Sequence, residues 1–170
     1  DLRNPLNVAQ GRAALLGETY ESEHLDPVLE ALDRMAAIIE DTLMLARQGE
    51  TVAETELVSL QDLVGQCWSM VETRDATISV PEAFTIRGDR DRLRHVFENL
   101  FRNAIEHGGD TVSIRVGKAG PNTIYVEDDG PGIPVDRRDS VFEPGHTSTE
   151  TSAGLGLTIV RRIVEAHDWE

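Results

Sequence analysis

Positive charge is what this 170-residue sequence has least of: 16 lysines and arginines stand against 31 aspartates and glutamates, giving a net charge of −15, and Lys118 is the only lysine. A surface of that sign repels nucleic acid and anionic lipid, which excludes partners held by attraction to phosphate backbones or membranes. Excess carboxylate with so little lysine suits a cytoplasm of concentrated salt, where self-repulsion is screened, so a halophilic source is expected. Cysteine is as scarce. Cys67 stands alone, which rules out an intramolecular disulfide framework, and its place on an amphipathic stretch predicts a buried thiol. No apolar run reaches the roughly 20 residues that a spanning helix needs. The first residues do not read as a signal peptide. Internal repeats, low-complexity segments and a P-loop signature are all missing. The remainder, 39% hydrophobic and 28% charged, is ordinary for a folded chain long enough for one core plus a helical appendage.

Two patterns divide the sequence. Up to residue 48 it is purely helical in period. Leu2, Leu6, Ala9, Ala13, Leu16 and Tyr20 form one seam, and Leu25, Leu29, Leu32, Ala36, Ile39, Leu43 and Ala46 form another. A polar turn at Glu21–Glu23 separates them, with Asp26 before Pro27 placed as an N-cap. Two such helices make an antiparallel hairpin with too little mass to bury its apolar face. A symmetric dimer forming a four-helix bundle completes it. Residues 49–56 are polar and read as a linker. Over 57–170 the pattern is mixed: strands at 56–60, 77–80, 84–87, 111–116 and 123–127, and helices at 61–74, 89–107 and 155–166. That order predicts an α+β sandwich with helices covering one face of a sheet.

Three clusters in the second part suit chemistry. On the helix at 89–107, Leu93, Phe97, Leu100 and Ala104 form a buried stripe, while Asn99, Asn103 and His107 line up a quarter turn away. Asparagine is an indifferent helix former, but its amide oxygen suits a hard cation such as Mg²⁺ and its nitrogen suits phosphate oxygens. Next, Asp128-Asp129-Gly130-Pro131-Gly132-Ile133 comes directly after a strand. A carboxylate there can accept a hydrogen bond from an exocyclic amine such as that of adenine, and the glycines permit close approach; an ordinary acidic turn is the plainer alternative. Last, Gly154-Leu155-Gly156-Leu157 opens the final helix, behind a small hydroxylated segment at 147–152. A helix N-terminus offers unpaired N–H groups to phosphate, and the preceding segment has the composition of a mobile lid.

In this order the pieces resemble the N, G1, F and G2 boxes of the histidine-kinase ATPase domain, a fold shared with type II topoisomerases and Hsp90. The F-box-like piece is Val141-Phe142-Glu143-Pro144. The hairpin adds to the likeness, because Asp1-Leu2-Arg3-Asn4-Pro5-Leu6 resembles the run of residues after the phosphoacceptor histidine in the H-box of two-component sensor histidine kinases. The resemblance implies three parts: a dimerisation and phosphotransfer hairpin at 1–48, a linker at 49–56, and an ATP-binding catalytic domain at 57–170. It implies that Asn103 holds Mg²⁺, Asn99 helps bind the phosphates, Asp128 reads adenine, and Gly130 and Gly132 shape the pocket floor. Gly154 and Gly156 would anchor the lid, with His107, Ile133, Phe142 and Leu155 lining the site. Asp1 would be general base toward the imidazole, and Asn4 would orient a water for dephosphorylating the partner, a response regulator receiver domain. A cytoplasmic location is implied too, with a membrane anchor only if one lies upstream.

Three departures from the family pattern accompany the likeness. The acceptor histidine is expected immediately before Asp1, and His24, His95, His107, His146 and His167 do not fit that role. Glu106 stands where many relatives carry lysine, and 146–152 holds no arginine or lysine, so modest ATP affinity is expected. Relatives continue past the last helix into a strand hairpin, and both ends are expected to be clipped. Two alternatives remain. A simple ATP hydrolase or serine kinase on the same fold is disfavoured by asparagine at 99, where hydrolysing relatives carry glutamate. A non-catalytic dimeric scaffold is favoured by the basic-poor lid and opposed by Asn103, Asp128 and the glycines. The charge balance has its own test: the melting temperature is expected to climb steadily from dilute to molar salt, and a flat thermal-shift series would refute salt adaptation.

Overall fold

The computed structural model describes residues 3–20, 22, 24–46, 55–120, 123–138, 140–143, 155–167 and 169. Asp1, Leu2, most of the linker, the segment 144–153 and Gly154 lie outside the described residues. The chain divides into two compact units, one within 1–49 and the other within 50–147 and 154–170.

The first unit holds α1 (Arg3–Thr19) and α2 (Leu25–Ala46). Leu6 and Ala13 are buried, with Ala9, Leu29, Leu32, Ala36 and Ile39 half-buried, as the seam periodicity requires. Leu16, Tyr20 and Leu43 belong to the same periodicity yet stay exposed at 51%, 65% and 40%. Two helices share only one interface, and a seam wider than that interface leaves its flank uncovered. Asp26 is not the N-cap of α2, because the helix begins one residue earlier at Leu25, whose N–H donates to the Ser22 carbonyl at 3.0 Å. Asp26 instead sits in the first turn, where its charge complements the helix dipole.

The second unit runs β1 (Glu56–Ser59), α3 (Leu60–Met70), β2 (Thr77–Ser79), β3 (Thr85–Gly88), α4 (Arg90–Gly108), β4 (Ser113–Gly120), β5 (Thr123–Asp128) and α5 (Gly156–Ala166). It is an α+β arrangement. β1 and β3 pair antiparallel, while β4 lies between β2, parallel to it, and β5, antiparallel to it. β4 reaches Gly120, beyond the expected end at 116. Glycines 117 and 120 hide its end in the sequence, but pairing to β5 carries the strand through them. At Gly117 a Cβ would stand 2.5 Å from the Tyr125 hydroxyl, so a side chain there would displace the cross-strand tyrosine ring.

Helix starts are set by local chemistry. Ser59 accepts from the Asp62 N–H ahead of α3, and Asp89 Oδ1 accepts from the Asp91 and Arg92 N–H groups, capping α4. Gly109, at φ 95°, ends α4 as few other residues could. The apolar faces of α3 and α4 meet β4 in one core whose centre is Phe101, fully buried against Trp68 edge-on at 5.7 Å and against Phe97 at 5.8 Å. Leu100, expected in the buried stripe, is half-buried. Cys67 is buried in this core, and desolvation pushes its thiol up to about 12. Phe101→Ala is expected to cost about 3–5 kcal/mol in urea unfolding. Cys67, a thiol and not a thiolate at neutral pH, is expected to resist alkylation until the unit unfolds, so labelling should track the unfolding curve.

Candidate functional site

Helix α4 supplies the site's platform. Leu93, Phe97, Phe101 and Ala104 bury one stripe in the core and so fix how the helix is rotated. That rotation sets Asn99 and Asn103 toward α5. Asn99 is only 8% exposed, and its Nδ2 donates to the His95 carbonyl at 2.9 Å. With the nitrogen tied to its own helix, the amide oxygen is turned outward. A Cβ on Gly156 would stand 2.9 Å from that oxygen and 3.9 Å from Asn103 Nδ2. The first residue of α5 therefore rests on the amide row, and the missing side chain makes the approach possible. The Asn103 side chain is half-buried and makes no hydrogen bond with a described residue. His107 is exposed in the last turn of the same helix.

The turn after β5 packs on the far end of α4. A Cβ on Gly130 would stand 2.8 Å from the Gly108 Cα, backbone that cannot yield. Gly132 takes φ 70°, a left-handed conformation natural to glycine. The exposed Asp128 carboxylate accepts the Gly130 N–H at 3.0 Å. Its neighbour does different work. Asp129 accepts the Ser113 N–H at 2.7 Å and donates its own N–H to the Ser113 carbonyl, stitching the turn back to β4. The bond accepted from the Ser113 N–H, helped by the Ser113 hydroxyl, holds the Asp129 carboxyl below the usual carboxylate range. Sequence reasoning singled out Asp128 and missed Asp129, because two adjacent aspartates look alike until the pairing partner of the strand is known.

Thr158 was missed as well. It is 4% exposed, and its hydroxyl donates to the Phe142 carbonyl at 3.0 Å, tying the first turn of α5 to the segment around Phe142. A hydroxyl on the inner face of an amphipathic helix was the available signal. Phe142 itself is 37% exposed, and Ile133 is exposed too, its carbonyl accepting from Arg138 Nε. Leu155 precedes α5, and no side chain caps the helix start. Asn4 is exposed on α1, in the other unit.

The site thus combines an amide unpaired among the described residues, a glycine-sealed helix start bearing the positive end of a dipole, and an exposed acceptor at a strand end. Among the described residues no group of three or more His, Cys, Asp or Glu is placed to hold a metal. A divalent cation here would take the Asn103 amide oxygen and draw its other ligands from a bound anion and water, the usual habit of Mg²⁺. The donor set fits a metal-chelated polyphosphate with a hydrogen-bond donor at its other end.

Known proteins are similar to this chain in sequence and fold. Residues 88–170 match the family model described as histidine kinase-, DNA gyrase B- and HSP90-like ATPase. Residues 1–51 match that of the His Kinase A (phospho-acceptor) domain. Sporulation kinase A of Bacillus subtilis is 32% identical over 98% of this chain, which covers 29% of that protein. Sensor histidine kinase ZraS of Salmonella typhimurium is 30% identical over 98% of this chain, covering 39% of that protein. The structure of full-length ShkA in complex with AMPPNP matches 97% of this chain with a TM-score of 0.70 and 27% identity, over 39% of its own length. The chain therefore spans less than half the length of these relatives.

One contact in the site can be tested without any ligand. Gly130→Ala forces a methyl onto the Gly108 backbone and is expected to destabilise the second unit by about 1–3 kcal/mol. A stability equal to that of the unsubstituted chain in urea unfolding would show that the turn does not rest on α4.

Proposed function

This chain belongs to the sensor histidine kinases of two-component systems, and from that premise we propose that it is a catalytic core that binds Mg-ATP, phosphorylates a histidine on its own hairpin and passes the phosphoryl group to an aspartate of a response regulator. One observation carries the reading: Gly156 lies against Asn99 and Asn103 while Gly130 lies against Gly108, so both glycine turns rest on α4, one at its middle and one at its C-terminal end. In this reading Asn103 holds Mg²⁺ through its amide oxygen, and Asn99, oriented by its bond to the His95 carbonyl, lies beside the phosphates. Bound Mg²⁺ supplies the charge neutralisation that phosphoryl transfer requires. Asp128 accepts from the adenine amine, with its orientation held by the Gly130 N–H. Gly130 and Gly132 form the floor, and His107, Ile133, Phe142 and Leu155 line the walls. Gly154 and Gly156 anchor the lid. Asp1 serves as general base toward the acceptor imidazole, and Asn4 orients a water that hydrolyses the regulator's aspartyl phosphate.

The work asked of this chain is positioning, since phosphoryl transfer needs aligned reactants and dispersed charge more than covalent help. Glu106 and the stretch 146–152, which holds no arginine or lysine, leave the triphosphate to the metal and to backbone N–H groups, and ATP affinity is modest as a result. The hairpin completes itself with a second copy. Val8, Leu15, Leu16, Tyr20, Met35 and Leu43 are exposed in the single chain, and a four-helix bundle buries such a face. Residues 1–48, 49–56 and 57–170 divide as hairpin, linker and ATPase domain. No helix among the described residues is long and apolar enough to cross a membrane, and the reaction belongs in the cytoplasm, where ATP is. The carboxylate-rich surface is an adaptation to salt.

A non-catalytic scaffold is the second reading, and the stretch 146–152, which holds no arginine or lysine, favours it. Calorimetry separates the two. Mg-ATP is expected to bind the chain, with Asn103→Ala and Asp128→Ala each weakening binding about tenfold or more. A chain extended by a histidine before Asp1 is expected to form an acid-labile phosphoprotein from ATP, and Asn103→Ala is expected to abolish it. No binding heat and no phosphoprotein would leave the scaffold.

A further inference from the structure

His167 stands just past the end of α5, apart from the amide row and both glycine turns. Its Nδ1 lies 2.7 Å from the Ile163 carbonyl, and its Nε2 lies 3.0 Å from the Asp89 N–H. The partners fix the tautomer. A carbonyl only accepts, so Nδ1 carries the hydrogen; a backbone N–H only donates, so Nε2 is bare. The ring is held in place on one side by Trp169, with centroids 5.1 Å apart. On the other side Gly88 leaves it room, since a Cβ there would stand 3.3 Å from Nε2.

Asp89 is the residue that caps α4. The bond from its N–H to His167 therefore joins the end of α5 to the beginning of α4, while Gly156 joins the beginning of α5 to the middle of α4 at Asn99. The two helices run antiparallel, and the anchor pairs are spaced alike, about 16 Å along α5 and about 15 Å along α4 at 1.5 Å per residue. Between the anchors α5 presents Ile159, Val160 and Ile163 to the core. Apolar ridges tolerate displacement by a turn, whereas a directional hydrogen bond does not.

We propose that His167 is a positioning residue for the nucleotide site, fixing through Asp89 the axial register of α5 on α4 and so seating Gly156 against Asn99 and Asn103. This rests on the proposed ATP site for its consequence, but the register itself does not depend on ATP. His167→Gln keeps an acceptor where Nε2 stands. His167→Asn keeps only a group at the Nδ1 position, and the Asp89 N–H loses its partner.

Nuclear magnetic resonance on the 170-residue chain reads the tautomer and the register directly. The expected result is a protonated Nδ1 with a bare Nε2 in the unsubstituted protein. An Overhauser contact between Gly156 and the Asn99 amide is expected to persist in His167→Gln and to be lost in His167→Asn. A protonated Nε2, or the same contact in both variants, would overturn the proposal, and the tautomer decides even if a variant fails to fold. Calorimetry with Mg-AMPPNP reads the consequence: His167→Asn is expected to weaken binding about fivefold or more, and His167→Gln by about twofold or less, as for loss or retention of one buried hydrogen bond. Equal affinities across the three proteins would also overturn it. An unsubstituted chain that takes up no AMPPNP would defeat the functional reading instead, with the register still judged by the spectra.

Discussion

Everything in the second unit that bears on chemistry depends on how closely the start of α5 can approach α4. At Gly156 that approach is set by the Asn99 amide oxygen, which a Cβ would meet at 2.9 Å. A larger residue at 156 would force either the amide or the helix aside, and the amide is not free to move because its nitrogen is bonded to the His95 carbonyl. The Thr158 hydroxyl and the Phe142 carbonyl add a second tie in the next turn. The result is a helix start whose dipole points at a face lined by amides.

The opposite wall is organised by the same kind of constraint. Gly130 rests on the Gly108 backbone, and the adjacent aspartates divide the labour of the turn. Asp129 commits its carboxylate to the Ser113 N–H and anchors the loop to β4. Asp128 is left exposed, steadied by a single backbone N–H. An anchored acid beside a presented one makes a rigid turn with a usable acceptor. It does so without basic residues, in keeping with a chain that carries 31 acidic groups against 16 basic ones.

The hairpin obeys a different logic. Its two helices bury Leu6 and Ala13 but leave Leu16, Tyr20 and Leu43 in water, because a pair of helices shares one interface however wide the apolar stripe. Among the described residues, the second unit by comparison holds thirteen buried residues in a continuous core from Val58 to Val116. One half of the chain finishes its own packing; the other presents a surface that asks for more.

Periodicity and spacing were enough to determine the elements. The helical seams, the five strands, the Asn99–Asn103 register and the glycine turns all arise from residue types at short separations, where local sterics and burial act within one element. Even there, boundaries that depend on partners escaped. β4 continues through Gly117 and Gly120 because β5 pairs with it, and α2 begins before Asp26 because Ser22 closes the turn. The resemblance of ordered boxes supplied the family. What only the tertiary structure decided is which groups separated by tens of residues meet: Gly156 with Asn99, Gly130 with Gly108, Asp129 with Ser113, His167 with Asp89. None of these leaves a mark at fixed spacing, since each depends on the angle and register at which whole elements pack, and that is set by the core.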